Sequence, residues 1–91
     1  MISFQDCLDM CGLTLEEVRA LAEHEHISDI EATALADYLL HLPHGRDQVQ
    51  RMIEEDIRAA LERGDHVHAR ELFTALRHFL SEQAELAEET P

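Results

Sequence analysis

The chain has 91 residues, with 20 acidic and 7 basic side chains and a formal charge of −13 when its 7 histidines are neutral. A chain this short forms one domain and buries only about 60% of the surface its unfolded form exposes. With 45% hydrophobic residues, 3 Phe, 1 Tyr and no Trp, its core is modest and dimerisation would enlarge it. The negative charge repels nucleic-acid phosphates and anionic membrane surfaces, and no basic cluster offsets it, so both are excluded as partners.

The basic residues are all arginine: Arg19, Arg46, Arg51, Arg58, Arg63, Arg70 and Arg77. The absence of lysine removes Schiff-base chemistry and the phosphate-loop lysine. Gly12, Gly45 and Gly64 are too scattered to cradle a phosphate, and no serine sits in a Gly-x-Ser-x-Gly elbow. Residues 1–7 carry neither a basic start nor an apolar run long enough for a signal peptide or a membrane span, so a cytoplasmic protein is expected.

Ser3 caps a short first helix through about Met10, with Phe4, Cys7, Leu8 and Cys11 at helical spacing and Gly12 as the stop. Thr14-Leu15-Glu16-Glu17 reads as a capping box, in which hydroxyl and carboxylate each satisfy an orphan backbone N–H, and opens a second helix to about His26. Ser28-Asp29-Ile30-Glu31 opens a third that ends near Leu42, because Pro43 disfavours helical geometry in the residue before it. Asp47-Gln48-Val49-Gln50 repeats the box and starts a fourth helix, closed at Arg63-Gly64. Asp65 caps a fifth from His66 to about Gln83, antiparallel to the fourth. The expected fold is therefore all-α, a bundle of four main helices plus a short N-terminal one over residues 1–83, expected as a dimer, with a frayed acidic tail over 84–91.

Projection at about 100° per residue separates ordinary positions from odd ones. The fifth helix has an apolar stripe of Ala69, Leu72, Phe73, Leu76, Phe79, Leu80 and Gln83, with Glu71, Thr74 and His78 outward. In the fourth, Asp56 falls within the stripe Val49, Met52, Ile53, Ile57 and Ala60, so its carboxylate is expected to be buried. The third places Glu31 beside Leu35, Tyr38, Leu39 and Leu42. In the second, Leu15, Val18, Leu21 and Ala22 define the apolar face, Glu25 lies near its centre, His26 on its flank, and Glu23 and His24 point away to opposite sides. Glutamates in a last turn also oppose the helix macrodipole, at about 0.3–1 kcal/mol each.

Glu23 and His26 form Glu-x-x-His, both leaving one helix face. Bundle proteins with two bridged metals use two such motifs plus carboxylates from two further helices. One chain supplies one motif and a symmetric dimer two, with Asp56 or Glu55 completing the set. The expected ligands of an iron, manganese or zinc ion are thus Glu23, Glu25, His26 and Asp56, with Glu31, His24 and Glu55 as second choices. The competing structural reading makes Glu25 and Asp56 buried partners of Arg19, Arg51 or Arg58, with His26 a favourable C-terminal imidazole. An enzyme in which Glu25, His26 and Asp56 share protons is a further alternative.

Cys7 and Cys11, spaced i and i+4, suit either a soft metal or ordinary packing, and a disulfide is not expected in a cytoplasmic chain. His41 and His44 flank a turn, and His66 and His68 are spaced i and i+2, so neither pair is a good chelate and both read as surface residues. The acidic surface also fits a metal-free interaction module docking on a basic protein partner.

The stretch Asp6-Cys7-Leu8-Asp9-Met10-Cys11-Gly12-Leu13-Thr14, followed by Ala22-Glu23-His24-Glu25-His26-Ile27 and by Gly64-Asp65 through Arg77-His78-Phe79, resembles a group of short bacterial all-α proteins. That resemblance covers most of the chain and implies no catalytic residues. Similarity to ferritin-like di-metal bundles is confined to Glu23-x-x-His26 and is an analogy at the level of fold.

Overall fold

The computed structural model describes residues 3–89, without the side chains of Met10, Cys11 and residues 83–89. Five helices follow in order: α1 (Phe4–Cys11), α2 (Leu15–Glu25), α3 (Asp29–Leu40), α4 (Gly45–Glu62) and α5 (His66–Glu89). The architecture is the all-α bundle expected from the helical periodicity, with a short first helix. Helix α5 runs on to Glu89, past the end expected near Gln83, so the backbone of residues 84–89 continues the helix where an acidic tail was expected; residues 90 and 91 and the side chains from Gln83 on lie outside the described residues.

The first three helices start by one device. Ser3, Thr14 and Ser28 each accept a hydrogen bond from the backbone three residues on, and Asp6, Glu17 and Glu31 return one from the cap N–H. Each cap contributes about 1 kcal/mol. Their ends differ: Gly12 takes φ 79°, His26 takes φ 57° in the left-handed region, and α3 stops at His41, two residues before Pro43.

The fourth helix corrects the expected start at Asp47. It begins at Gly45, with His44 at the N-cap and no side-chain cap hydrogen bond. The reason is space. Gly45 packs so closely on the end of α3 that a Cβ there would lie 1.4 Å from the carbonyl oxygen of Leu39. Asp47 sits instead inside the first turn, where a carboxylate still favours the macrodipole. The α4–α5 hairpin closes as expected. Gly64 takes φ 75°, the Asp65 N–H donates to Ala60 O across 2.9 Å, and Asp65 Oδ1 accepts from the His68 N–H across 3.1 Å.

Helix α2 is central, touching α3, α4 and α5. Val18, Leu21, Val49, Ile53 and Phe79 lose nearly all solvent contact, joined by Leu13, Leu39, Leu72 and Leu76. Helix α3 presents Ala32, Ala36 and Leu39 to this core, while Tyr38 is 63% exposed and Glu31 is exposed, so its inward face is rotated from the expected one. Alanine side chains let the α3 backbone approach closely, and Glu31 stays at its cap. On α5, Ala75 is buried, whereas Phe73 and Leu80 remain 52% and 42% exposed. Among the described residues no helix is long and apolar enough to cross a membrane.

Candidate metal centre

Because α2 runs against α5 in the opposite sense, the start of α2 meets the later turns of α5. Glu17 is 0% exposed at that junction, the one charged side chain among the most fully buried residues. Its two oxygens have separate partners. Oε2 accepts from the Thr14 backbone N–H at 3.1 Å, and Oε1 accepts from His78 Nδ1 at 3.0 Å. His78 Nδ1 also lies 2.9 Å from Glu82 Oε1, one turn further along α5. One donor atom from each of Glu17, His78 and Glu82 falls within 4.8 Å of the other two, close enough to hold a metal ion.

The electrostatics follow from burial and pairing. Loss of solvent pushes the Glu17 carboxyl above its ordinary value, opposed by the bonds from Thr14 and His78. His78 is held above its ordinary value, chiefly by the bond to Glu17 and then by the charge of Glu82. Glu17 is inaccessible while the His78 side chain is 54% exposed, so one wall of the site is buried and the other reaches solvent. The Thr14 bond fixes the carboxylate plane, the kind of support that outer hydrogen bonds give to metal-binding carboxylates.

The residues expected to bind metal divide. Glu23 and Asp56 turn toward neighbouring helices, whereas Glu25 and His26 are exposed at the end of α2, with His26 serving as its C-cap. Of the second choices, Glu31 is held in its capping box by Ser28, with an oxygen 2.8 Å from the hydroxyl. His24 Nε2 donates to Glu55 Oε2 at 2.9 Å. Asp56 is half-buried, and burial raises its pKa while the charge of His24 lowers it. Arg19 pairs with Asp29, at 3.9 Å, rather than with Glu25 or Asp56. Cys7 is a half-buried free thiol, and the side chain of Cys11 lies outside the described residues.

Of the histidines expected at the surface, one departs from expectation. His41, His44 and His66 are exposed as expected. His68 is not. It is half-buried, with Nε2 2.5 Å from Glu23 Oε1 and Nδ1 3.6 Å from Glu71 Oε2. His78 is exposed on the outward face as expected, yet its Nδ1 is also joined to the buried carboxylate of Glu17. The usable signal for His68 is its position four residues before Leu72, at the head of the buried stripe Leu72, Ala75, Leu76 and Phe79. For His78 it is the i, i+4 pairing with Glu82, which places imidazole and carboxylate side by side.

Comparison with protein-family models, curated proteins and solved structures finds no match.

Proposed function

We propose that the protein binds a divalent transition metal ion, of the iron, manganese or zinc class, through Glu17, His78 and Glu82. The observation that carries the reading is the mutual closeness of their donor atoms around His78 Nδ1. Ligands bound at about 2.0–2.2 Å stand roughly 3.0–3.5 Å from their neighbours in the coordination sphere. The two carboxylate oxygens lie 3.0 and 2.9 Å from the imidazole nitrogen. In the metal-free protein a proton holds these groups together, and an ion takes its place when the imidazole deprotonates. One nitrogen and two carboxylate oxygens suit borderline ions better than soft ones.

Three protein ligands leave coordination positions open to water, an arrangement typical of exchangeable or catalytic ions rather than of closed structural sites. A second copy of the chain is the proposed source of a further ligand. The half-exposed Phe73 and Leu80 on α5 offer apolar surface for such a homodimer. The expected ligands Glu23, Glu25, His26 and Asp56 are not part of this group, and Glu25 and His26 lie exposed at the far end of α2.

Calorimetric titration of Zn²⁺ and Mn²⁺ into untagged, metal-free protein tests the reading. The wild type is expected to show a saturable binding phase that His78→Ala abolishes and Glu82→Gln weakens roughly tenfold or more. A total metal stoichiometry and affinity unchanged in both variants overturns it.

A further inference from the structure

Where the end of α2 meets α4 and the start of α5, three side-chain atoms are out of contact with solvent and form no hydrogen bond: His24 Nδ1, Asp56 Oδ2 and His68 Nε2. Buried polar atoms in folded proteins are almost always satisfied, so an isolated orphan calls for an explanation and three together call for a shared one. Each comes from a different helix. Asp56 follows Glu55, the carboxylate that His24 bonds, and the charges of His24, Glu23 and His68 all act on it. Glu23 Oε1 lies 2.5 Å from His68 Nε2, at ion-pair distance.

The other ring nitrogens are already engaged. His24 Nε2 donates to Glu55 Oε2, which leaves Nδ1 as the lone-pair nitrogen of the neutral ring. Glu71 Oε2 stands 3.6 Å from His68 Nδ1 and favours the tautomer with the proton on that side. A carboxylate on the distal nitrogen of each imidazole is the support that metal-binding histidines commonly have. Four carboxylates, Glu23, Glu55, Asp56 and Glu71, also outweigh two imidazoles, so the locale attracts cations.

We infer that His24 Nδ1, His68 Nε2, Asp56 Oδ2 and Glu23 Oε1 form a second divalent-metal site, of two nitrogens and two oxygens, separate from that of Glu17, His78 and Glu82. This donor set is tetrahedral-zinc-like in number and type. Its donor atoms are spread more widely than those of the first site, where all three lie within 4.8 Å. Ion binding therefore draws α2, α4 and α5 together at this end of the bundle. Glu23 and His68 also line a groove with Glu16, Arg19, Glu71 and Leu72, through which an ion enters from solvent.

The test is calorimetric titration of Zn²⁺ into the untagged, metal-free His78→Ala protein, in which the first site is removed. One equivalent is expected to bind. Adding His24→Ala or His68→Ala weakens that binding by roughly tenfold or more, and so does Asp56→Asn, which keeps the side-chain shape should the histidine variants unfold. No zinc uptake by the His78→Ala protein, or uptake insensitive to Asp56→Asn, overturns the second site. Zinc uptake lost on His78→Ala alone leaves the first site standing and removes the second. Uptake that survives His78→Ala but not Asp56→Asn leaves the second site standing.

Discussion

Glu17 and His78 lie 61 residues apart in the chain, and the carboxylate oxygen of one accepts a hydrogen bond from the imidazole nitrogen of the other across 3.0 Å. The contact joins the start of α2 to the later turns of α5. It rests on a residue with two duties, because the same carboxylate closes the capping box of α2.

Separating those duties gives the first prediction. Glutamine at position 17 keeps an oxygen for the Thr14 N–H but removes the charge. Glu17→Gln is expected to retain the fold while weakening zinc binding roughly tenfold or more. Glu17→Ala leaves the Thr14 N–H without its partner and opens a void, at a cost of about 1–3 kcal/mol. Chemical denaturation of both variants, alongside zinc titration, distinguishes the two effects.

The pH dependence of the metal-free protein has a definite sign. His24, His68 and His78 are all raised above 6.5 in the folded state. For His78 and His68 the contacts with Glu17 and Glu23 lead. For His24, burial acts the other way and is outweighed by the bond to Glu55 and the neighbouring carboxylates. A raised folded value contributes stability that is complete below the unfolded value and disappears as pH climbs through the folded one. The metal-free protein is therefore expected to lose thermal stability as pH rises from below 6.5 through the histidine range. Glu31 works in the opposite sense at lower pH. Its hydrogen bonds from Ser28 depress its value below 4.5, so the stability it adds is lost as pH falls through that depressed value. Saturating zinc reverses the first trend, because the ion binds the deprotonated ligands and stabilises the state that holds them. Melting curves across pH, with and without zinc, check both limbs.

His26 sits at φ 57°, the only described non-glycine residue at positive φ. A left-handed conformation costs an L-residue roughly 1–2 kcal/mol, which glycine avoids. His26→Gly is expected to raise stability by about 1 kcal/mol and leave zinc binding unchanged. Loss of metal in this variant would restore the Glu23-x-x-His26 ligand pair to the account.

Gly45 gives the converse case. Its Cβ would overlap the Leu39 carbonyl at 1.4 Å, a backbone neighbour that cannot rotate away. Gly45→Ala is expected to cost about 3 kcal/mol or more, as α4 shifts off the end of α3. Gly64→Ala meets open space and strains only its φ of 75°, at a cost of roughly 1–2 kcal/mol. Urea unfolding of the pair measures the difference.

Much of the fold was legible in the sequence because its signals are local. Ser3, Thr14 and Ser28 with their carboxylates three residues on, Gly12 and Gly64 as stops, and Asp65 as a cap all act within one helical turn. The start of α4 was not legible, since Gly45 is required by a contact with Leu39 that no turn signal encodes. Asp56 is legible because a carboxylate interrupts an apolar stripe, and it lies half-buried in the structure. Glu17 escaped notice because its capping role explained it fully from local sequence. The pattern of α5 alone says nothing of the partners of His68 and His78, because Glu23 and Glu17 sit on α2. Ligand sets assembled from antiparallel helices leave no fixed spacing in the chain.

The most direct measurement of the central claim is anomalous diffraction at the zinc absorption edge from crystals of the untagged protein grown with Zn²⁺. An anomalous peak is expected about 2.0–2.2 Å from His78 Nδ1, Glu17 Oε1 and Glu82 Oε1. An ordered His78 with its nitrogen still bonded to Glu17 and no anomalous density beside it, at a zinc concentration that saturates binding in solution, would contradict it.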